Sequence, residues 1–223
     1  MTKLDYETGQ VLLFDKPYEW TSFDLVRKVR GLIRIKKIGH AGTLDPLATG
    51  LMILCTGKFT KRINEFMGQE KEYIAEMTLG AVTPTYDLES APESMKPIDD
   101  FSTDQLESVF DAFRGPILQV PPAHSAIKVG GKRVYELARA GKEVKLEPRP
   151  VTIHTLECLQ RPEDRITLRV VCSTGTYIRS LVHDIGQALG CGAYLSGLTR
   201  TRIGTQKLSE AWSVEAFEKS IKG

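Results

Sequence analysis

Ile38 to Gly50 reads IGHAGTLDPLATG, with three glycines, one proline and a single acid, Asp45, and no apolar period of helix or strand. Such a stretch is a loop shaped by its local chemistry. On its C-terminal side, Leu51 to Cys55 is an unbroken apolar run of strand length and reads as a buried strand. On its N-terminal side, Leu25, Val26, Val29, Leu32 and Ile33 recur at helical spacing behind Thr21 or Ser22 as the cap. Arg27, Lys28, Arg30 and Arg34 fall largely on the other faces, which makes this an amphipathic helix with a basic outside.

Further out the pattern stays mixed. Val11 to Asp15 is a short strand stopped at Lys16-Pro17, and Gly57 starts a second helix carrying Lys58, Lys61 and Arg62. Tyr73 opens an alternating strand that runs to Leu79. Thr83 to Asp100 is acidic, contains prolines and reads as an exposed connection, after which Ser102 and Gln105 form a capping box for a helix through Phe113. Gly130-Gly131 marks a hairpin over Lys128 to Val134, followed by a helix Tyr135 to Ala140 closed by Gly141. Strands resume at Val151 to Leu159 and Ile166 to Cys172. A helix from Thr176 ends at Gly190, and Ala193 to Leu208 gives one or two strands before a short final helix. The class is α+β, a mixed sheet with flanking helices, in one domain over residues 1–223.

A net charge of +2 conceals segregation along the chain. Arg27 to Arg62 holds nine Lys/Arg and one carboxylate, Asp45; Asp87 to Asp111 holds eight acids against Lys96; Arg114 to Arg149 is basic again. One such run reads as a solvated face, but two basic zones that converge would make a phosphate-neutralising footprint. The 41% hydrophobic content suffices for a core. No apolar run reaches membrane-spanning length and no leader is apparent, so the expectation is a cytoplasmic protein. Cys55, Cys158, Cys172 and Cys191 lie far apart and read as reduced core thiols. His40, His124, His154 and His183 show no metal-ligand spacing, and Gly57-Lys58-Phe59 lacks the phosphate-loop pattern. No metal and no cofactor are expected.

Asp45-Pro46 by itself reads as a turn. Three features point beyond that. Proline pushes Asp45 towards extended angles, Gly39, Gly42 and Gly50 leave room for another backbone, and the surrounding cations favour the ionised carboxylate that a nucleophile requires.

The segment GHAGTLDPLATG closely resembles the signature of the TruB-type tRNA pseudouridine synthases. Further blocks match in order: Asp15-Lys16-Pro17 with Thr21-Ser22, Thr60-Lys61, Lys71 to Tyr73, Thr83 to Asp87, PPAHSAIKVGGKRVYELARAG from Pro121 to Gly141, and CSTGTYIRS from Cys172 to Ser180. They span almost the whole chain. The resemblance implies a largely antiparallel central sheet and conversion of a uridine in the tRNA T-loop, position 55, to pseudouridine.

It also implies that Asp45 is the nucleophile, Tyr73 the aromatic that stacks on the target base, and Arg179 the guanidinium that pairs with the aspartate. Read alone, Tyr73 is more readily a core residue of its strand, and Arg179 could be a surface helix residue. By the same resemblance His40, Gly42 and Thr43 lie in the RNA-contacting loop, Tyr177 and Leu198 meet the target nucleotide, and Lys16 and Lys61 lie near the site or its phosphates. Leu198 could as well be core, and either lysine solvated. The expected partner is tRNA through its T-loop and T-stem, with no membrane and no obligatory protein partner, and the protein is expected to be a monomer. The rivals are a non-catalytic tRNA-binding module and a guide-RNA-dependent synthase. Relatives commonly carry glycine where Glu19 stands, and an aromatic or Met-Tyr pair at Ala123-His124. Many append a small C-terminal RNA-binding domain; here a catalytic core alone is expected.

Overall fold

The computed structural model describes residues 3–122, 128–129, 132–133 and 146–222. The helices are α1 (Lys3–Thr8), α2 (Ser22–Ile33), α3 (Ile63–Met67), α4 (Thr103–Phe113), α5 (Ile178–Ala188) and α6 (Val214–Lys222). The strands are β1 (Val11–Lys16), β2 (Ile38–His40), β3 (Thr49–Thr56), β4 (Lys71–Leu79), β5 (Gly115–Gln119), β6 (Lys128–Val129), β7 (Lys132–Arg133), β8 (Arg149–Gln160), β9 (Arg165–Cys172), β10 (Ala193–Ile203) and β11 (Gln206–Lys207). Two compact units result, one from residues 1–74 and 197–223, the other from residues 75–196, so β4 and β10 each contribute to both.

In the first unit the strand order is β1-β3-β10-β4, with β2 paired to β3 and β11 to β10. β1 runs antiparallel to β3, from Val11 opposite Cys55 to Lys16 opposite Gly50, whereas β10 runs parallel to β3 with Arg200 opposite Gly50. Every residue from Leu51 to Cys55 is fully buried, which is why β3 is apolar without alternation. Thr21 caps α2 in a box with Asp24, and Leu25, Val26, Val29 and Ile33 form its buried face. Arg27 pairs with Asp24 and Lys28 with Glu218 on its outer side. Phe14 meets Phe217 edge to face, with ring centroids 4.9 Å apart.

In the second unit the order is β10-β4-β9-β8-β5, with β8 antiparallel to both β9 and β5. Ile153, Leu156, Ile166, Leu168 and Val170 of the sheet are buried, as are Leu106 and Phe110 of α4 and Leu181, Val182 and Ile185 of α5. α4 packs on α5 and on β8. The Ser102–Gln105 capping box closes as its spacing predicts. β6 and β7 pair antiparallel, Lys128 opposite Arg133, as the hairpin signal requires. The helix expected over 135–140 and its Gly141 stop lie outside the described residues, as does the pair at 123–124.

Several expectations are corrected. Residues Gly57–Arg62 form a 3-10 helix before α3 continues, rather than one helix from Gly57. Ile38–His40 is a strand, so the loop begins at Ala41, and Lys71 rather than Tyr73 opens β4. The start of the acidic segment is not exposed: Thr83, Thr85 and Asp87 are buried. Glu19 takes the left-handed conformation that glycine would take more readily, with φ 65°.

Candidate active site

Asp45 is half-buried, and the backbone on either side of it is held from three other elements. Two positions before it, the Thr43 carbonyl accepts from Nη1 of Arg200 at 3.3 Å. One position before it, Leu44 is held at both ends: Ser22 Oγ donates to its carbonyl at 3.0 Å and accepts from its N–H at 2.9 Å. One position after it, the Pro46 carbonyl accepts from Lys16 Nζ at 3.1 Å. The Asp45 carbonyl itself accepts from Ala48 N–H at 3.1 Å, closing a turn. A loop without secondary structure of its own is thereby fixed at successive peptides, which sets the direction in which the Asp45 side chain leaves the backbone.

The cations responsible come from outside the basic run that the sequence displays. Arg27, Arg34, Lys36, Lys37, Lys58, Lys61 and Arg62 are exposed. Lys16 and Arg200, by contrast, are buried. Lys16 also donates to the carbonyls of Pro17 at 2.9 Å and Trp20 at 2.5 Å. With Pro46 this accounts for all three of its N–H donors, so Lys16 braces the loop and has no donor left for an RNA phosphate. Burial pushes its pKa down to about 8; the charge of Asp45 raises it and that of Arg200 lowers it further. Arg200 Nε donates to Leu51 at 2.7 Å, and its Nη2 is buried with no hydrogen-bond partner among the described residues.

Arg200 and Ser22 are the parts of the site that the sequence did not single out for these tasks. Arg200 stands between Thr199 and Thr201 in β10, so its neighbours in sequence carry no signal of its burial. Close approach of backbone at the loop glycines is realised at Gly50, where an added Cβ would lie 2.4 Å from the Arg200 carbonyl oxygen. Gly50 also has φ 102°. At Gly39 and Gly42 it is side chains, of Ile63 and Arg200, that come near.

The remaining residues of the first unit are placed as follows. His40 ends β2, half-buried; burial holds its imidazole below the usual range, its bond to the Gly42 backbone opposes this, and the charge of Arg200 adds to it. It is therefore a neutral ring at physiological pH. Gly42 and Thr43 lie in the braced loop, Thr43 exposed. Lys61 is exposed on the 3-10 helix, Tyr73 is buried on β4, and Leu198 is half-buried on β10, its carbonyl near Thr49 Oγ1 at 3.5 Å.

In the second unit, Arg179 is buried in the first turn of α5, not on a surface. Its Nη1 lies 3.3 Å from Oδ2 of Asp87, also buried, and donates to the Thr85 carbonyl at 3.2 Å. A buried guanidinium without a carboxylate partner would be strongly destabilising, and Asp87 is one partner that offsets its charge. Tyr177 caps α5, and the Gln119 side chain holds its peptide at both ends, accepting from its N–H at 2.8 Å and donating to its carbonyl at 3.0 Å.

Residues 30–178 match the TruB family pseudouridylate synthase (N terminal domain), and residues 179–222 match the tRNA pseudouridylate synthase B C-terminal domain. A relative named tRNA pseudouridine synthase B from Phocaeicola vulgatus is 50% identical over 221 residues, covering 96% of this chain and 94% of its own. One of the same name from Flavobacterium johnsoniae is 47% identical and covers 100% of both. Among solved structures, a Cbf5-Nop10-Gar1 complex contains a chain similar at TM-score 0.76 and 30% identity, over 97% of this chain. This chain spans 55% of that one. The chain belongs to the TruB family.

Proposed function

We propose that this protein converts the uridine at position 55 of the tRNA T-loop to pseudouridine, with Asp45 as covalent nucleophile and with Tyr73 and Arg179 in the roles the resemblance gives them. The observation that carries this reading is the fixing of the peptides on both sides of Asp45 by Ser22 and Lys16. Family membership and the shared name of relatives that cover nearly the whole chain support tRNA as substrate.

On the route through the sugar, a carboxylate oxygen of Asp45 bonds to ribose C1′ as the N1–C1′ bond breaks and its electron pair leaves with the uracil. The freed base turns, C5 bonds to C1′ and the carboxylate departs. C5 then loses its proton while N1 gains one. Nothing is oxidised or hydrolysed, so the chemistry consumes no cofactor. The base has to leave its stack first, at a cost of about a few kcal/mol that contacts elsewhere on the RNA must supply. Tyr73 offers the extruded ring a π-face. His40, Gly42, Thr43, Tyr177, Leu198 and Lys61 are the proposed RNA contacts, while Lys16 acts through the loop. The reaction needs no guide RNA and no protein partner, and its setting is the cytoplasm.

Purified protein incubated with unmodified tRNA and no guide should form pseudouridine at one mapped position. Product only when a guide RNA is added would favour the guide-dependent rival, and binding without product the non-catalytic one. Asp45→Asn should lower turnover by about ten-thousandfold or more while leaving most tRNA affinity, because an amide of the same shape is a poor nucleophile.

A further inference from the structure

Asp87 and Thr85, two residues that contact the Arg179 guanidinium, flank a tyrosine in an unfavourable backbone state. Residues 83–86 form a turn in which Tyr86 N–H donates to the Thr83 carbonyl at 3.1 Å, and Tyr86 has φ 63°. Left-handed geometry crowds a Cβ against the backbone, and a bulky side chain there is a marked outlier. Persistence of such a conformation requires that something over-determines it.

The ring supplies that hold. Tyr86 stacks on His183 with centroids 3.8 Å apart and planes 16° from parallel. His183 lies on α5 four residues after Arg179, hence one turn along the same face. One helix face thus presents a guanidinium to residues 85 and 87 and an imidazole to the ring of residue 86 between them. His183 Nδ1 is buried with no hydrogen-bond partner among the described residues, so the ring is placed by packing and not by a polar bond of that atom. Beyond the turn, the Tyr86 carbonyl accepts from Leu195 N–H at 2.9 Å.

We propose that the Tyr86–His183 stack is a positioning device for the Arg179–Asp87 pair: ring against ring holds residue 86 in the left-handed state that turns the Thr85 carbonyl and the Asp87 carboxylate onto the guanidinium. Neither ring is a catalytic residue. The inference rests on the reading that Arg179 serves the reaction.

Glycine reaches the same backbone state without a Cβ, so it should do without the stack. Turnover of unmodified tRNA is to be measured for Tyr86→Ala, Tyr86→Gly, His183→Ala, His183→Phe and the double variant Tyr86→Gly/His183→Ala, each checked for folding by thermal melt. Tyr86→Ala and His183→Ala should lose about tenfold in kcat, with KM moving less than about twofold. Tyr86→Gly, His183→Phe and the double variant should stay within about threefold of the parent. Equal losses for Tyr86→Gly and Tyr86→Ala, or no loss for Tyr86→Ala and His183→Ala, overturn the proposal. Arg179→Met, measured alongside, tests the underlying reading: full turnover there removes that reading, whereas a dead Arg179→Met with active alanine variants removes the positioning device alone.

Discussion

Asp45 and Asp87 are both aspartates at turns, and the backbone around each is held by different means. Around Asp45 the protein grips peptides: Ser22, Lys16 and Arg200 spend their donors on the carbonyls of residues 43, 44 and 46. Around Asp87 it engages the carboxylate itself, through Arg179 at 3.3 Å and the Glu89 N–H at 3.0 Å, and holds the adjoining backbone with a ring stack. Fixing successive peptides sets where a turn carries its side chain, whereas a carboxylate bonded directly offsets the charge of a buried cation.

Arg200→Met should have the largest effect on this comparison. It removes the donors that Arg200 gives to the Thr43 and Leu51 carbonyls, at a cost of about 2–4 kcal/mol in denaturant stability, and lowers kcat by about a hundredfold. It should also raise the pKa of Lys16, since the charge of Arg200 now depresses it. A variant that melts lower but turns over at the parental rate would show that Arg200 supports the sheet and not the loop. Ser22→Ala removes both bonds to Leu44 and should cost about 1–2 kcal/mol with a loss of about fivefold in kcat. A parental rate there would leave Lys16 and Arg200 as sufficient braces.

The smallest effect belongs to the second region. Burial pushes the Asp184 carboxyl up to about 6, above its ordinary value. The folded state therefore holds a proton that the unfolded chain releases, and the stability this group allows is complete below about pH 4 and is lost as pH rises through about 6. Asp184→Asn should stabilise the protein at pH 8 by about 1 kcal/mol, after allowance for solvent around a half-exposed group, and leave it unchanged at pH 4. Urea titrations at the two pH values would show it, and an equal gain at both would assign the effect to packing.

Features set by neighbouring residues were legible in the sequence. The Thr21 and Ser102 caps, the apolar run of β3 and the glycine-rich loop all follow from spacing along a few positions. Short elements are not legible in this way: α1 is a helix of six residues, and β2 and β5 are defined by pairing with β3 and β8. The exposed reading of Thr83 to Asp87 failed because acidity suggests solvent, and only a buried cation elsewhere in the chain makes burial tolerable. Of the cations bracing Asp45, Lys16 is expected near the site and Arg200 is not, for a related reason. Residues near it in sequence point outward from a helix and a 3-10 helix, whereas Lys16 and Arg200 arrive through pairing of β1 and β10 with β3.

The discontinuity of the first unit has a consequence during synthesis. Residues 75–196 can collapse on themselves while translation continues, but the unit that carries Asp45 draws its last strand and Phe217 from residues 197–223. Arg200 reaches Thr43 across 157 positions of chain. A growing polypeptide therefore has only Ser22 and Lys16 available to brace this loop until Arg200 has left the exit tunnel.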